Sequence, residues 1–194
     1  MKIVINLILA ALIIVFAFVL FNSISEPIKF RDEKTKRKNR VEAKLKDIRT
    51  AQELHRGVTG LFAGNFDSLR HVLTTQNFTL VNVQGDPDDP DNPEAVVYDT
   101  TFFPAIDSVR ALGINLEGIE YVPYTDKQKK FTIAADTLTY QQTLVPVVEV
   151  GVKWADFMGD YGSSKYKKYD SSYEPGSVMK FGDLSAPQLN ISGN

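Results

Sequence analysis

A chain of 194 residues with 43% apolar and 24% charged residues has the composition of a folded protein, which excludes wholesale disorder, and its length leaves room for one modest core. The net charge of −2 hides an asymmetry: Lys29 to Arg49 carries ten of the 22 Lys and Arg against four acids, while Thr50 to Asn194 carries 11 basic and 19 acidic residues, a body without the positive footprint that nucleic acid requires. The absence of cysteine excludes disulfides, thiolate metal sites and thiol catalysis, and leaves the compartment open.

The first predicted element is Ile3 to Phe21, nineteen residues of which fifteen are Leu, Ile, Val or Phe, three are Ala and one is Asn6. At about 1.5 Å per residue this run spans roughly 28 Å, close to a bilayer core of about 30 Å. Its side chains supply several kcal/mol of insertion free energy, more than one Asn cancels. The run is longer than the hydrophobic part of a signal peptide, although Ser23 and Ser25 offer small residues at a cleavage spacing. Asn6 is either a polar contact between neighbouring spans or a residue near the interface. Seven Lys and Arg between Lys29 and Arg40 follow the span and only Lys2 precedes it, which by the positive-inside rule places the body in the cytoplasm. A body rich in Thr, Tyr, Asp, Asn and Pro argues for export.

Pro27 bars helix at Glu26 and predicts an extended piece over Ser25 to Phe30. Asp32 to His55 then lacks Gly and Pro and predicts a helix. Val41, Leu45, Ile48 and Ala51 or Gln52 recur at spacings of three and four on one stripe, with Lys44, Lys46 and Asp47 turned away. That stripe packs either on its own domain or on another copy. The basic run before it is a solvated face near anionic headgroups. Gly57, Gly60 and Gly64 break the helix, and Asn65 caps a short second helix to about Leu73, with Phe66, Leu69, Val72 and Leu73 facing the core.

From Phe78 the residues take on strand chemistry, with predicted strands at Phe78 to Val83, Val96 to Phe103, Ile119 to Tyr124, Lys130 to Leu138 and Leu144 to Val152. The polar run Thr125 to Lys129 predicts a hairpin between the third and fourth. Pro104 to Leu112 and Trp154 to Met158 each have room for a turn or two of helix. The tail from Tyr161 to Asn194 reads as loop with one strand at Ser177 to Phe181.

Residues that could carry chemistry are few. Asp86, Asp88, Asp89, Asp91 and Glu94 put five carboxylates in nine residues with three prolines, either a solvated acidic loop or a calcium site without the glycine turn of an EF-hand. His55 and His71, the two histidines, are at most part of a zinc site and otherwise surface residues. Ser68 and Ser108 have no base placed beside them by any motif. Gly57, Gly60 and Gly64 follow a helix and lack the lysine of a phosphate loop. Tyr161, Tyr166, Tyr169 and Tyr173, interleaved with Lys165, Lys167 and Lys168, either present stacking surfaces to a glycan or partner chain or pack the tail on the body.

An apolar N-terminal helix, an amphipathic continuation and a small antiparallel β-domain resemble the layout of type IV pilins and type II secretion pseudopilins. The local likeness lies in Ile48-Arg49-Thr50-Ala51-Gln52-Glu53-Leu54-His55, Gly60-Leu61-Phe62 and Asp67-Ser68-Leu69. Together with Tyr121-Val122-Pro123-Tyr124, Phe131 and Ala134-Ala135-Asp136-Thr137-Leu138, the same stretch is similar to a family of uncharacterised single-span bacterial envelope proteins, a likeness that implies no activity. The chain departs from pilins in three ways. Nothing like Gly-Phe precedes the apolar run, the early glutamate of the pilin span is missing, and Pro27 with the basic stretch interrupts the single long helix.

The resulting expectation is an α+β protein with a membrane anchor over residues 1–25, a basic amphipathic stalk over 26–56 and a mainly antiparallel soluble domain over 57–194, its tail loop-rich from about 160. It is expected to sit as a single-pass protein in a bacterial inner membrane with a periplasmic body. Its partners are the membrane and other envelope proteins or copies of itself through the stalk, with no nucleic acid and no small-molecule substrate. No catalytic, cofactor-binding or metal-binding residue is nominated.

Overall fold

The computed structural model describes residues 1–84 and 97–193, the side chains of Asn22, Gln84 and Val97 excepted. One helix, α1 (Lys2–Thr59), runs 58 residues without a break, about 87 Å at helical rise. The extended piece expected at Ser25 to Phe30 is therefore helix, and anchor and stalk are a single element. Pro27 lacks the N–H that would bond the carbonyl of Ser23, an interior cost of about 3 kcal/mol. Contacts made by the turns on either side of it offset that cost: Phe30 is fully buried, and Glu26 and Lys34 both engage the tail. Gly57 does not break the helix. It ends at Gly60, whose φ of 80° is the left-handed cap that glycine adopts freely, its N–H donating to the Arg56 carbonyl at 2.8 Å.

The apolar start of α1 is long enough to cross a membrane and no part of it is buried against the body. From Phe30 onward the helix is the spine of the fold. Val41, Leu45, Ile48, Ala51 and Gln52 are all fully buried, so the predicted stripe packs on its own body, not on a second stalk. Each large side chain withdrawn from water there contributes roughly 1.5–3 kcal/mol. Lys46 and Asp47 face solvent as expected, whereas Lys44 lies half-buried on the flank, where desolvation lowers its pKa.

Gln52 fixes the turn after α1 by bonding both backbone groups of one residue. Its amide donates to the Ala63 carbonyl at 3.0 Å and accepts from the Ala63 N–H at 2.8 Å. The second helix, α2 (Phe66–Thr75), starts where Asn65 accepts from the Ser68 N–H at 2.7 Å, and it buries Phe66, Leu69, Val72 and Leu73. Next come β1 (Asn77–Gln84) and β2 (Val97–Pro104), an antiparallel pair on their own, and α3 (Ala105–Ala111).

The main sheet has the order β3-β4-β5-β6, antiparallel throughout: β3 (Thr132–Tyr140), β4 (Thr143–Lys153), β5 (Val178–Gly182) and β6 (Ile191–Ser192). Val148, Val150 and Val152 on β4, with Met179 and Phe181 on β5, supply its inner face. Between β4 and β5 lie α4 (Trp154–Met158) and two 3-10 turns at Gly159–Tyr161 and Ser164–Lys168.

The strand expected at Ile119 to Tyr124 is not formed, and with it goes the full hairpin to Lys130. A single bridge, Tyr121 to Lys130, marks where it would have been. Gly118 and Tyr124 bracket the segment with left-handed φ values of 66° each, and Pro123 removes a ladder donor. Glu120 is drawn inward to Arg70, so the alternation a half-buried strand needs is lost. β6 is the one short strand of the tail that the pattern did not predict.

Candidate functional site

Two regions of the surface carry more chemistry than packing alone demands, one at each end of the body. The first is where α1 leaves its apolar segment. Phe30 lies inside a cage of tyrosines: Tyr166 stacks on it at 5.2 Å between ring centroids and 6° between planes, and Tyr173 meets it edge-on at 5.1 Å. Tyr161 and Tyr169 close the cage at 5.9 and 6.3 Å. Polar contacts ring these rings. The Tyr169 hydroxyl donates to Glu26, Lys34 pairs with Asp170 at 2.5 Å, and Arg37 donates to the Phe157 carbonyl at 2.7 Å while lying 4.9 Å over the ring of Tyr124. The Lys34 ammonium, with the Ser172 hydroxyl, holds the Asp170 carboxyl down to about 2, and burial pushes the Tyr173 phenol up to about 12.

The tail tyrosines pack on the body's own helix, Tyr166 and Tyr173 buried and Tyr161 and Tyr169 half-buried. Two cationic side chains of the stalk hold the tail as well, Lys34 through Asp170 and Arg31 through the Tyr169 carbonyl at 3.4 Å, so the basic run is not wholly a solvated face. The aromatic spacing of the tail was legible, but its target was not, because Phe30 sits 131 residues earlier than Tyr161 in a stretch expected to be extended.

The second region is the β1–β2 hairpin, at the far end of α1. Its root is fixed where the Phe78 ring lies on Gly57, so close that a β-carbon there would meet the ring at 2.9 Å. Gly57 is about 54 Å beyond Phe21 along the helix. Cross-strand pairing puts Phe102 opposite Thr79, Val81 opposite Thr100 and Tyr98 opposite Val83, all on one face. That face is open, with Tyr98 64% and Phe102 62% exposed, and on the other face Leu80 is 57% exposed. Among the described residues neither strand pairs along its outer edge. An isolated hairpin of this kind is marginal in water, and exposed apolar area of this extent marks contact surfaces. The acidic loop Asp86 to Glu94 that joins the strands lies outside the described residues, as does any question of calcium there.

A concavity of about 830 Å3 lies between α2, α3 and the Ile114 to Tyr121 segment. Arg70 on its wall pairs with Glu120 at 2.8 Å and Asp67 at 3.1 Å and donates to the Leu116 carbonyl at 3.4 Å, so its guanidinium is already engaged. Among the described residues, the buried side-chain atoms without partners are Arg49 Nε, His55 Nε2 and Trp154 Nε1, none of which lines this groove.

The two histidines lie in different surroundings. His55 is buried, not a surface residue, its Nδ1 2.8 Å from the Leu61 carbonyl, where it ties down the chain after α1; His71 is exposed on α2. Ser68 lies in the first turn of α2, and Ser108 is half-buried on α3. Among the described residues no group of three His, Asp or Glu is placed to hold a metal ion. Comparison with protein-family models, curated proteins and solved structures found no match to the chain.

Proposed function

We propose that the chain is a non-enzymatic, single-pass envelope protein, a pseudopilin-like subunit that displays its body on the periplasmic side of a bacterial inner membrane and engages a partner protein through the β1–β2 hairpin. The observation that carries this reading is the pairing of an unburied apolar helix at one end of α1 with an unpartnered apolar hairpin at the other. One rigid rod joins lipid to contact surface. The long helix lying against an antiparallel sheet agrees with the pilin-like layout, and the Thr-, Tyr-, Asp- and Asn-rich body agrees with export.

A photo-crosslinking amino acid placed at Phe102 in intact cells tests the partner. The reading expects discrete adducts that vanish when the crosslinker is moved to exposed Lys46 on the stalk. Monomer alone from Phe102 would end it.

A second reading, a cytoplasm-facing adaptor, is favoured by the seven cations that follow the span against Lys2 before it. A reporter active on one side only, fused after Asn194, separates the two. Periplasmic activity supports the first and cytoplasmic activity the second.

A further inference from the structure

We propose that Lys29 and Arg31 of α1, together with Lys165, Lys167 and Lys168 of the tail, form one docking surface for the phosphate headgroups of anionic lipids in the leaflet from which α1 emerges. The inference rests on the reading of Ile3 to Phe21 as a membrane span. Its own support is a juxtaposition that neither segment reveals alone.

Glu26 lies about 8 Å past Phe21 along the helix and Phe30 about 14 Å past it, within or just above a headgroup layer about 5–8 Å deep. The body reaches back to that level. Tyr166 stacks on Phe30, the Tyr169 hydroxyl donates to Glu26, and the Lys168 ammonium stands 3.8 Å from the Glu26 carboxylate. The turn Ser164–Lys168 is thereby pinned beside the point where the chain enters the lipid, and all three of its lysines are exposed.

The cage that holds Phe30 also seats two of the ammonium groups. Lys165 lies 4.7 Å over the Tyr166 ring and Lys168 lies 4.4 Å over that of Tyr169. Carboxylates are present too: Glu26 faces Lys168, Glu174 pairs with Lys167 at 2.5 Å, and Asp170 pairs with Lys34. Lys29, Arg31 and Lys165 have no carboxylate within ion-pair distance among the described residues. Three cations without a carboxylate partner, Arg31 donating to the Tyr169 carbonyl at 3.4 Å, lie on two chain segments held together by an aromatic cage beside the end of the apolar run, and they match a layer of phosphates.

The test uses the full chain in lipid nanodiscs, either zwitterionic or containing phosphatidylglycerol, with amine acetylation rates read lysine by lysine by mass spectrometry. In anionic discs Lys29, Lys165 and Lys168 are expected to react about threefold or more slowly than in zwitterionic discs, whereas Lys130, remote from the span, is unchanged. Salt that shortens the Debye length to a few ångströms should abolish the difference. The triple variant Lys165→Gln, Lys167→Gln, Lys168→Gln should reduce the protection of Lys29. Equal rates in the two discs would overturn the proposal, and protection of Lys29 untouched by the triple variant would remove the tail from it. Equal protection in zwitterionic discs by added inorganic phosphate would overturn the assignment to lipid. A chain that does not stay with the disc at all would overturn the membrane span instead.

Discussion

Replacing Phe30 with alanine removes the ring on which the tail is folded. Phe30 is fully buried and touches four tyrosines, so the substitution takes away the transfer free energy of a phenyl ring, leaves a cavity among side chains pinned by their own hydrogen bonds, and deletes four aromatic contacts. Core Phe to Ala changes cost about 3–5 kcal/mol, and the cage places this one in the upper half of that range. For a body of this size that is a fall in melting temperature of roughly 15 °C. Trp154, the only tryptophan, reports it directly, because it meets Tyr173 edge-on at 6.0 Å and Tyr173 in turn meets Phe30. Thermal melts of the full chain in micelles, followed by Trp154 fluorescence, give the shift. Ile28→Ala, exposed on the same helix, should change stability by less than about 0.5 kcal/mol. If Phe30→Ala melts like Ile28→Ala, the tail is not folded on α1 and the cage has no energetic content.

Pro27→Ala should stabilise the chain by up to about 3 kcal/mol, because it restores a hydrogen bond inside α1; an extended segment there would make the change neutral or unfavourable, and the same melts read the sign. Asp170 has a carboxyl held down to about 2 against an ordinary value near 4, so its pair with Lys34 stabilises the fold above the unfolded value and loses that contribution as pH falls toward 2. The stability gap between wild type and Asp170→Asn should therefore be constant from pH 6 to about 5 and close between about 4 and 2, in urea titrations across that range. Gly182, at a φ of 79° with the space for a β-carbon filled by the Val148 carbonyl, should not accept alanine; Gly182→Ala is expected to cost about 3 kcal/mol or to prevent soluble expression, whereas Gly176→Ala, with open space around it, should be nearly neutral.

Local signals were the legible ones. The stripe Val41, Leu45, Ile48 and Gln52, the Asn65 cap and the core positions of α2 follow from spacing and capping chemistry within a few residues, and the structure keeps each of them. Four strands follow from β-branched and aromatic runs, with boundaries shifted by one or two residues. What could not be read depended on partners distant in sequence. Pro27 reads as a helix stop, and the structure instead carries the helix through it to Phe30, whose ring packs among tyrosines more than 130 residues away. Ile119 to Tyr124 has strand composition, but left-handed backbone at Gly118 and Tyr124 and the pairing of Glu120 with Arg70 accompany its departure from a strand. His55 has the look of a surface residue at a helix end until the Leu61 carbonyl folds back over it. The hairpin strands were visible as strands, yet their exposure was not, since alternating Phe, Val and Tyr reads as core.

Spin labels at Ala17, within the apolar segment, and at Lys46, on the outward face of the stalk, measure directly whether one unbroken helix carries the body on its anchor. For the full chain in nanodiscs, pulsed dipolar spectroscopy should return a single narrow distance distribution near 44 Å, the rise of a straight helix over that interval to within about the length of the labels. A distribution centred well short of that value, or spread over many lengths, would place a joint at Pro27 and contradict the rod on which both the hairpin's display and the lysine surface depend.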